Sequence, residues 1–275
     1  MHLSRLFNLT DTVKLDKGND DLVITHLTSD SRNVKKGSLF AAISGNLSDG
    51  HNYIDSAIKN GAVAILAEGR DLVIPDGIAL LRADNVRGCF AIACSKFWPS
   101  RPSFTVAVTG TNGKTSTVEF LRQLWERNTW NAVSFGTLGA RSSTVLKVPS
   151  SDLTTPSSEC FFSALNSFSK QNISYLAIEA SSHGLEQQRM NGLKVEVAVF
   201  TNLSRDHLDY HSNMDAYFES KQKLFLDYLA DGGHAVINID DPYGKKLLEN
   251  VRKQARDKDF QLEPKEGRKS QSLIE

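Results

Sequence analysis

Residues 104–125 read FTVAVTGTNGKTSTVEFLRQLW, and backbone geometry, charge and a helix start coincide in this one stretch. A short β-branched run predicts a buried strand over residues 104–108. The chain then turns at Gly110 and Gly113, because glycine adopts positive φ without steric cost. Apolar residues recur at helical spacing from Val118 onward. The stretch therefore predicts a strand, a glycine turn and a helix in direct succession.

The start of this helix carries residue types that bind phosphate. Lys114, Thr115 and Ser116 form its first turn, where backbone N–H groups have no partner within the helix. A glycine turn at a helix N-terminus binds phosphate oxygens, a lysine reaches the terminal phosphates, and a threonine hydroxyl ligates Mg²⁺. The usual motif has a further glycine where this chain has Val108. The alternative is a plain strand-to-helix turn, but the Gly-Lys-Thr-Ser order favours an anion site.

Length and composition limit the class of protein. The 275 residues suffice for two domains, and 32 basic against 32 acidic residues leave no net charge for holding nucleic acid or an anionic membrane. No apolar run is long enough to cross a bilayer, and the first residues lack the order of a secretion signal, so we expect a cytosolic protein. The cysteines Cys89, Cys94 and Cys160 are expected to be reduced.

The prolines of FWPSRP, residues 97–102, mark a domain boundary near residue 100. Before it, short elements and two polar loops are predicted: strands over 22–27, 37–43 and 62–67, helices over 53–60 and 85–97, and loops at 30–32 and 44–51. After it, strands are predicted over 104–108, 132–135, 175–179, 195–201 and 234–239, and helices over 115–127, 157–171, 214–229 and 242–254.

This alternation of strand and helix predicts a mostly parallel sheet with helices on both faces. The expected fold class is therefore α/β. It comprises a small mixed α/β domain over residues 1–100, followed by a P-loop sheet domain over residues 101–275.

Polar side chains cluster after the predicted strands of the second domain. Glu179 opens the run EASSHG, and residues 201–211 read TNLSRDHLDYH. Ligands bind at the carboxyl ends of parallel strands, and Glu179 with the Thr115 hydroxyl and phosphate oxygens would suit Mg²⁺. Residue chemistry alone leaves open whether His207 is a ligand or a hydrogen-bonded structural histidine, and whether Lys221 is functional or merely solvated.

Six ordered motifs and the first domain resemble one family. The motifs are TVAVTGTNGKTS, TTP, EASSHGLEQQR, TNLSRDHLDYH, YFESKQKLF and NIDDPYG, and the first domain contains TSDSRNVKKGSLFAAISGNLSDGHNYIDSAIKNGA. Together they resemble the Mur ligase family, over nearly the whole chain to about residue 250. Among its members, the chain is most similar to those that add the third amino acid to the UDP-N-acetylmuramoyl-peptide of cell-wall synthesis.

The resemblance implies an ATP-dependent, Mg²⁺-dependent ligase that makes an amide bond through an acyl phosphate. The ATP-binding residues would be Gly110, Thr111, Asn112, Gly113, Lys114, Thr115, Ser116, Asn238 and Asp241. The Mg²⁺ ligands would be Thr115, Glu179, His207 and a carbamylated Lys221, with Lys114, Lys221 and His207 as the catalytic residues. The UDP-N-acetylmuramoyl-dipeptide would contact Ser29, Ser31, Asn46, Leu47, Ser48, Thr154, Thr155, Ser181, Gln187 and Arg189.

The resemblance ends after residue 250, in the charged tail VRKQARDKDFQLEPKEGRKSQSLIE. Family members continue with a third domain that selects the incoming amino acid, which is meso-diaminopimelate or lysine. We therefore expect a truncated chain, or one whose C-terminal domain is separately encoded, and weak activity of the chain alone. We expect the tail to be a helix end followed by disorder.

Two other functions are compatible with parts of the sequence. Folylpolyglutamate synthetase shares the ATP-binding chemistry but lacks a uridine-binding first domain, so residues 22–70 disfavour it. A non-catalytic binding protein would not need the phosphate and metal residues Lys114, Glu179, His207 and Lys221.

Overall fold

The computed structural model describes residues 1–7, 12–45, 48–69, 72–148 and 153–261, with side chains to residue 256. Asn46 and Leu47, both predicted to contact substrate, lie outside the described residues. The chain divides into two compact units. The first unit comprises Met1–Pro99, Ser158–Ser163 and Gln187–Gly192, and the second comprises Ser100–Ser157, Ala164–Glu186 and Leu193–Glu275.

The first unit is built on a five-stranded sheet of order β1-β5-β4-β3-β2, in which only β1 is antiparallel to its neighbour. Its elements are α1 (Leu3–Leu6), β1 (Lys14–Lys17), β2 (His26–Thr28), β3 (Ser38–Ala41), α2 (Ile54–Lys59), β4 (Ala62–Ala67), β5 (Ala79–Arg82) and α3 (Val86–Phe97). Single 3₁₀ turns occur at Ser31–Asn33 and Gly50–Tyr53.

The strand predicted over residues 22–27 is only partly correct, because the strand in the sheet is His26–Thr28 and residues 22–25 precede it. The backbone before it pairs instead with the start of the chain, where Leu3 N donates to Leu22 O at 2.9 Å and Ile24 N donates to Met1 O at 2.8 Å. The apolar residues 22–24 therefore pair with the N-terminal residues outside the sheet.

The second unit is a six-stranded sheet of order β11-β10-β6-β9-β7-β8, parallel except for β8. Its strands are β6 (Phe104–Thr109), β7 (Ala132–Gly136), β8 (Gly139–Arg141), β9 (Tyr175–Glu179), β10 (Val195–Phe200) and β11 (Leu229–Ile237). Its helices are α4 (Lys114–Arg127), α5 (Ser158–Lys170, which begins in the first unit), α6 (Ser182–Glu186), α7 (Met214–Lys223) and α8 (Pro242–Gln261).

The two units confirm the predicted α/β fold class, since both sheets are largely parallel. In the second unit, Val106, Val108, Val118 and Trp125 pack with Ala177 in one buried cluster, so the apolar side of α4 covers β6 and β9. Strand β6 lies between β10 and β9. The carboxyl ends of three parallel strands therefore meet around the turn that follows β6.

The helix predicted over residues 214–229 is shorter than expected. Helix α7 ends at Lys223, a π-helical turn covers Leu224–Tyr228, and β11 begins at Leu229. The buried side chains of Leu224, Phe225 and Tyr228 anchor this turn. Apolar periodicity did not reveal the change of helix type, because these residues continue the hydrophobic pattern of the helix.

None of the helices in the described part of the chain is long and apolar enough to span a bilayer.

Candidate functional site

The turn between β6 and α4 is held in place by the end of β10. Thr111 N donates to Asn202 O at 2.9 Å and Asn112 N donates to Asn202 Oδ1 at 3.0 Å. Thr201 Oγ1 donates back to Asn112 O at 2.6 Å. Gly110 has φ +147°, and a Cβ on it would lie 1.9 Å from Thr201 Oγ1. The turn therefore has one well-defined shape, which only glycine permits.

Helix α4 starts as an anion site requires. Its N-cap is Gly113, with φ +85°, and no side chain caps the first turn. The Lys114 ammonium bends back over the turn, where Nζ donates to Gly110 O at 2.9 Å and to Thr111 O at 2.8 Å. Burial lowers the pKa of Lys114, while the charges of Glu179 and Asp206 oppose that shift. A cation thus lies beside a helix N-terminus that has no side-chain cap.

Glu179, the last residue of β9, is buried beside this turn with 2% of its surface exposed. Its Oε2 accepts a hydrogen bond from Thr115 Oγ1 at 2.9 Å, and its Oε1 accepts one from Thr137 N at 2.9 Å. Gly136 makes room for it, because a Cβ there would lie 2.2 Å from Glu179 Oε1. Sequence reasoning missed Gly136, the last residue of β7, and Thr137, which follows it.

The oxygens of Glu179 and Thr115 suit magnesium. Adjacent ligands of an octahedral Mg²⁺ ion lie about 2.9 Å apart, since each bond is about 2.0–2.1 Å long. The 2.9 Å between Thr115 Oγ1 and Glu179 Oε2 matches that spacing. Among the described residues, no group of three or more His, Cys, Asp or Glu side chains is arranged to hold a metal. Phosphate oxygens and water would therefore have to complete the coordination shell.

Lys221 on α7 is the most deeply buried charged residue among the described residues of the second unit, with 1% of its surface exposed. Its Nζ donates to Gly110 O at 2.8 Å, the same carbonyl that Lys114 reaches, and lies 4.5 Å from the centre of the Tyr217 ring. Burial lowers the pKa of Lys221 well below its ordinary value, and the positive charge of Lys114 lowers it further. Burial thus favours the neutral amine over the ammonium at this position.

His207 lies at the margin of the same group of residues. It has φ +53°, its ring centre is 5.9 Å from that of Tyr217, and the Tyr217 hydroxyl is 3.2 Å from Thr111 Oγ1. The His207 side chain is 43% exposed. In the described residues it forms no hydrogen bond with Glu179, Thr115 or Lys221. The structure therefore links His207 to the turn through Tyr217 and not directly.

Several other predicted site residues of the second unit make hydrogen bonds that support the fold. Thr155 is 1% exposed; it donates to Glu179 O at 3.0 Å and accepts from Ser181 Oγ at 3.0 Å. Thr154 Oγ1 lies 3.0 Å from Thr137 Oγ1. These hydroxyl groups fix the segment that follows β9.

Asn238 and Asp241 likewise bond to nearby backbone. Asn238 Nδ2 donates to Thr201 O at 2.8 Å, and the Asp241 carboxylate accepts from Leu203 N and from Tyr243 N, both at 2.8 Å. Asp241 thereby joins the start of α8 to the segment after β10. Neither side chain contacts the turn at residues 110–116.

The predicted substrate residues of the first unit lie in three places. Ser29 donates to Glu159 Oε1 through its N–H at 3.1 Å and its hydroxyl at 2.8 Å. Ser31 is buried and its carbonyl accepts from Asn60 Nδ2 at 3.0 Å. Ser48 O accepts from Gly45 N at 2.8 Å. Ser29 and Ser31 thus mark the first place and Ser48 the second. Gln187 and Arg189 form the third, where Arg189 Nη2 donates to Gln187 Oε1 at 2.7 Å.

Comparison with known proteins gives matches over both units. The Mur ligase middle domain matches residues 108–271, and the domain described as the Mur ligase family, catalytic domain, matches residues 23–96. A UDP-N-acetylmuramoyl-L-alanyl-D-glutamate–2,6-diaminopimelate ligase of Brucella melitensis is 41% identical over 230 residues, which are 83% of this chain and 46% of the relative. The ligase of the same name from Zymomonas mobilis is 42% identical over 233 residues, which are 85% of this chain and 47% of the relative.

Solved structures agree with these matches. A structure of UDP-N-acetylmuramoyl-L-alanyl-D-glutamate–2,6-diaminopimelate ligase superposes with a TM-score of 0.77 at 29% identity, over 92% of this chain and 50% of the other. MurF from Acinetobacter baumannii shares the fold, with a TM-score of 0.61 at 18% identity over 92% of this chain and 51% of that one. The chain spans about half the length of the curated relatives that it matches.

Proposed function

Because the chain belongs to the Mur ligase family, we propose that it carries the ATP and UDP-substrate residues of a peptidoglycan-precursor ligase. The reaction would add 2,6-diaminopimelate, the amino acid named for its relatives, to UDP-N-acetylmuramoyl-L-alanyl-D-glutamate. This is the step of UDP-N-acetylmuramoyl-tripeptide synthetase. In this proposal, residues 1–100 bind the uridine nucleotide and residues 101–275 bind ATP. Both substrates are intracellular metabolites, which favours a cytoplasmic protein.

One observation carries the proposal: the Thr115–Glu179 hydrogen bond at 2.9 Å beside an uncapped helix N-terminus. A hydroxyl and a buried carboxylate next to a phosphate-binding turn are the ligands that a Mg²⁺–nucleotide complex needs. A turn that only joined a strand to a helix would have no use for a carboxylate that is 2% exposed.

The chain's own residues would act by positioning and by charge. The first-turn N–H groups of α4 bind and orient the phosphates of ATP, and Lys114 moves from the carbonyls of Gly110 and Thr111 to the terminal phosphate. An oxygen of the substrate carboxylate attacks the terminal phosphorus of ATP and ADP leaves, which gives an acyl phosphate. The amine then displaces phosphate, and the amide forms. Bound Mg²⁺ would neutralise charge on the phosphate oxygens during the transfer.

Lys221 has the properties that carbamylation requires. Only a neutral amine attacks CO₂, and burial of Nζ, together with the charge of Lys114, favours the neutral form of Lys221 by lowering its pKa. The product would be a carbamate, which bears a negative charge and two oxygens where the amine stood. We propose that this anion and His207 help to hold Mg²⁺ near Glu179 and Thr115.

The first half of the reaction tests this proposal, because it needs ATP and the UDP-linked dipeptide but no amino acid. We expect the chain to form an acyl phosphate, which hydroxylamine traps as a hydroxamate detectable by mass spectrometry. UDP-N-acetylglucosamine is the control substrate, since it has the nucleotide and a sugar but no carboxylate. Absence of hydroxamate together with absence of binding of the UDP-linked dipeptide would refute the proposal.

A further inference from the structure

Arg87, near the start of α3, is a residue of the first unit to which neither motif nor resemblance gave a role. Its Nη2 donates to Ser44 O at 2.6 Å, and its Nη1 lies 3.5 Å from Gln187 Oε1. Ser44 is bridged to Asp49, the residue after Ser48, and Gln187 belongs to the segment Gln187–Gly192, which is part of the same unit. One guanidinium therefore touches two segments that are 100 residues or more apart from each other in the sequence.

The Ser44–Asp49 pair, which Arg87 contacts through Ser44, is held by several bonds. Ser44 and Asp49 form an isolated β-bridge, and Ser44 Oγ donates to Asp49 Oδ1 at 3.2 Å. Asp49 also accepts from His51, from its backbone N at 3.1 Å and from Nδ1 at 2.7 Å. The Ser44 carbonyl thus belongs to a bonded pair, and Arg87 holds that pair through it.

The second segment is also held in a defined conformation. Gln187 Oε1 accepts from Arg189 through Nη2 at 2.7 Å and Nε at 3.1 Å. Gln188, between them, has the left-handed φ of +54°. Its Oε1 accepts from Asn85 Nδ2 at 2.7 Å, and Asn85 is the N-cap of the helix that carries Arg87. The start of α3 therefore contacts both Gln187 and Gln188.

We propose that Arg87 is a positioning residue for the UDP-linked substrate: it joins the bridged pair Ser44 and Asp49, which lies next to Ser48, to Gln187, so that both are preset for one ligand. This inference rests on the proposed function, because Ser48, Gln187 and Arg189 are substrate-binding residues only within it. An arginine suits the role, since its planar fork donates in two directions at fixed angles. Presetting the two segments removes ordering entropy from the binding step, and so it strengthens affinity without a direct contact.

Substitution of Arg87 tests this inference through equilibrium binding, measured by calorimetry on the whole chain. We expect Arg87→Ala to weaken binding of UDP-N-acetylmuramoyl-L-alanyl-D-glutamate about 10- to 100-fold, as loss of hydrogen bonds from a charged group does. Binding of ATP, whose proposed residues lie in the second unit, should change less than about twofold. Arg87→Lys should resemble Arg87→Ala, because an ammonium lacks the fork that spans both acceptors.

Two further variants separate positioning from simple stability. Arg82→Ala removes a guanidinium of the same unit whose Nε lies 2.7 Å from Asp16 Oδ2, and it should leave binding unchanged. In Gly88→Ala, the new Cβ would lie 2.2 Å from Gln188 Oε1 and 2.6 Å from Asn85 Nδ2. That variant should weaken binding of the same ligand while Arg87 itself stays intact. Hydrogen exchange should speed up in residues 44–45 and 48–50 of Arg87→Ala and not of Arg82→Ala.

The outcomes distinguish the inference from the function on which it rests. Wild-type affinity in Arg87→Ala, with the wild-type chain binding the UDP-linked dipeptide, would overturn the role of Arg87 alone. Full recovery of affinity in Arg87→Lys would also overturn it, since the positive charge and not the planar guanidinium geometry would then determine the affinity. A wild-type chain that binds no UDP-linked dipeptide would overturn both.

Discussion

We expect Gly136→Ala to bind ATP about 10- to 100-fold more weakly than the wild type in the presence of Mg²⁺, the range seen when the support of a metal ligand is lost. The new Cβ would lie 2.2 Å from Glu179 Oε1 and 2.5 Å from its Cδ, so the carboxylate has to leave Thr115 Oγ1. Calorimetric titration with ATP, in Mg²⁺ and then in excess EDTA, measures this effect.

The loss should be confined to the metal-dependent part of the affinity. With EDTA present, wild type and Gly136→Ala should bind ATP equally, because the turn at residues 110–116 is untouched. Gly69→Ala is the matched control, since a Cβ at Gly69 meets nothing within 4 Å. Equal affinities of Gly136→Ala and wild type in Mg²⁺ would show that Glu179 does not serve the nucleotide.

The second large effect concerns stability, and its sign is opposite to that of most core substitutions. Lys221→Met should raise the free energy of unfolding by about 2 kcal/mol and the thermal midpoint by several degrees, because it replaces a buried polar amine by an apolar side chain. Among the described residues, the partners of this amine are a carbonyl and an aromatic ring. The same variant should abolish formation of the acyl phosphate. Calorimetric melting in degassed, metal-free buffer measures the midpoint.

The stability gain should depend on pH in a defined direction. The folded-state pKa of Lys221 lies well below its ordinary value, so the unfolded chain binds more protons at this site than the folded chain does. The wild type therefore gains stability as pH rises from the pKa of Lys221 in the folded chain toward its pKa in the unfolded chain. The unfolded value is that of an unperturbed lysine, about 10.4. The advantage of Lys221→Met should be greatest at low pH and shrink as pH increases.

Lys223→Met provides the control for this variant. Lys223 lies two residues further along α7 and is half-buried, so its replacement should leave the midpoint nearly unchanged. A lower midpoint for Lys221→Met than for the wild type would contradict this prediction. It would mean that the amino group of Lys221 stabilises the folded chain through its bond to the turn.

The sequence predicted the backbone of the turn between β6 and α4 well because its determinants are local. Helix α4 begins one residue earlier than expected, at Lys114, and Gly110 and Gly113 have the positive φ values that the glycine spacing indicated. Glu179 also ends its strand as expected. Neighbouring residues in the chain fix these features, so periodicity and turn chemistry were sufficient.

Contacts between distant residues were not predictable in this way. Thr137 N bonds to Glu179, 42 residues away, and Arg87 Nη2 bonds to Ser44, 43 residues away. Nothing in the strings SFGTLG or DNVRG shows such partners, because they depend on which strands are neighbours. The order of strands placed β7 next to β9, and thereby Gly136 next to Glu179.

The central claim is that residues 108–116 bind the polyphosphate of a nucleotide, with metal held between them and the neighbouring strand ends. Titration of the chain with ATP and Mg²⁺, for wild type, Lys114→Ala and the exposed control Lys194→Ala, tests it most directly. The account predicts saturable binding to wild type and Lys194→Ala, and affinity at least about tenfold lower for Lys114→Ala, as expected for loss of a charged contact. Equal binding of ATP by all three proteins, or by none of them, would contradict it.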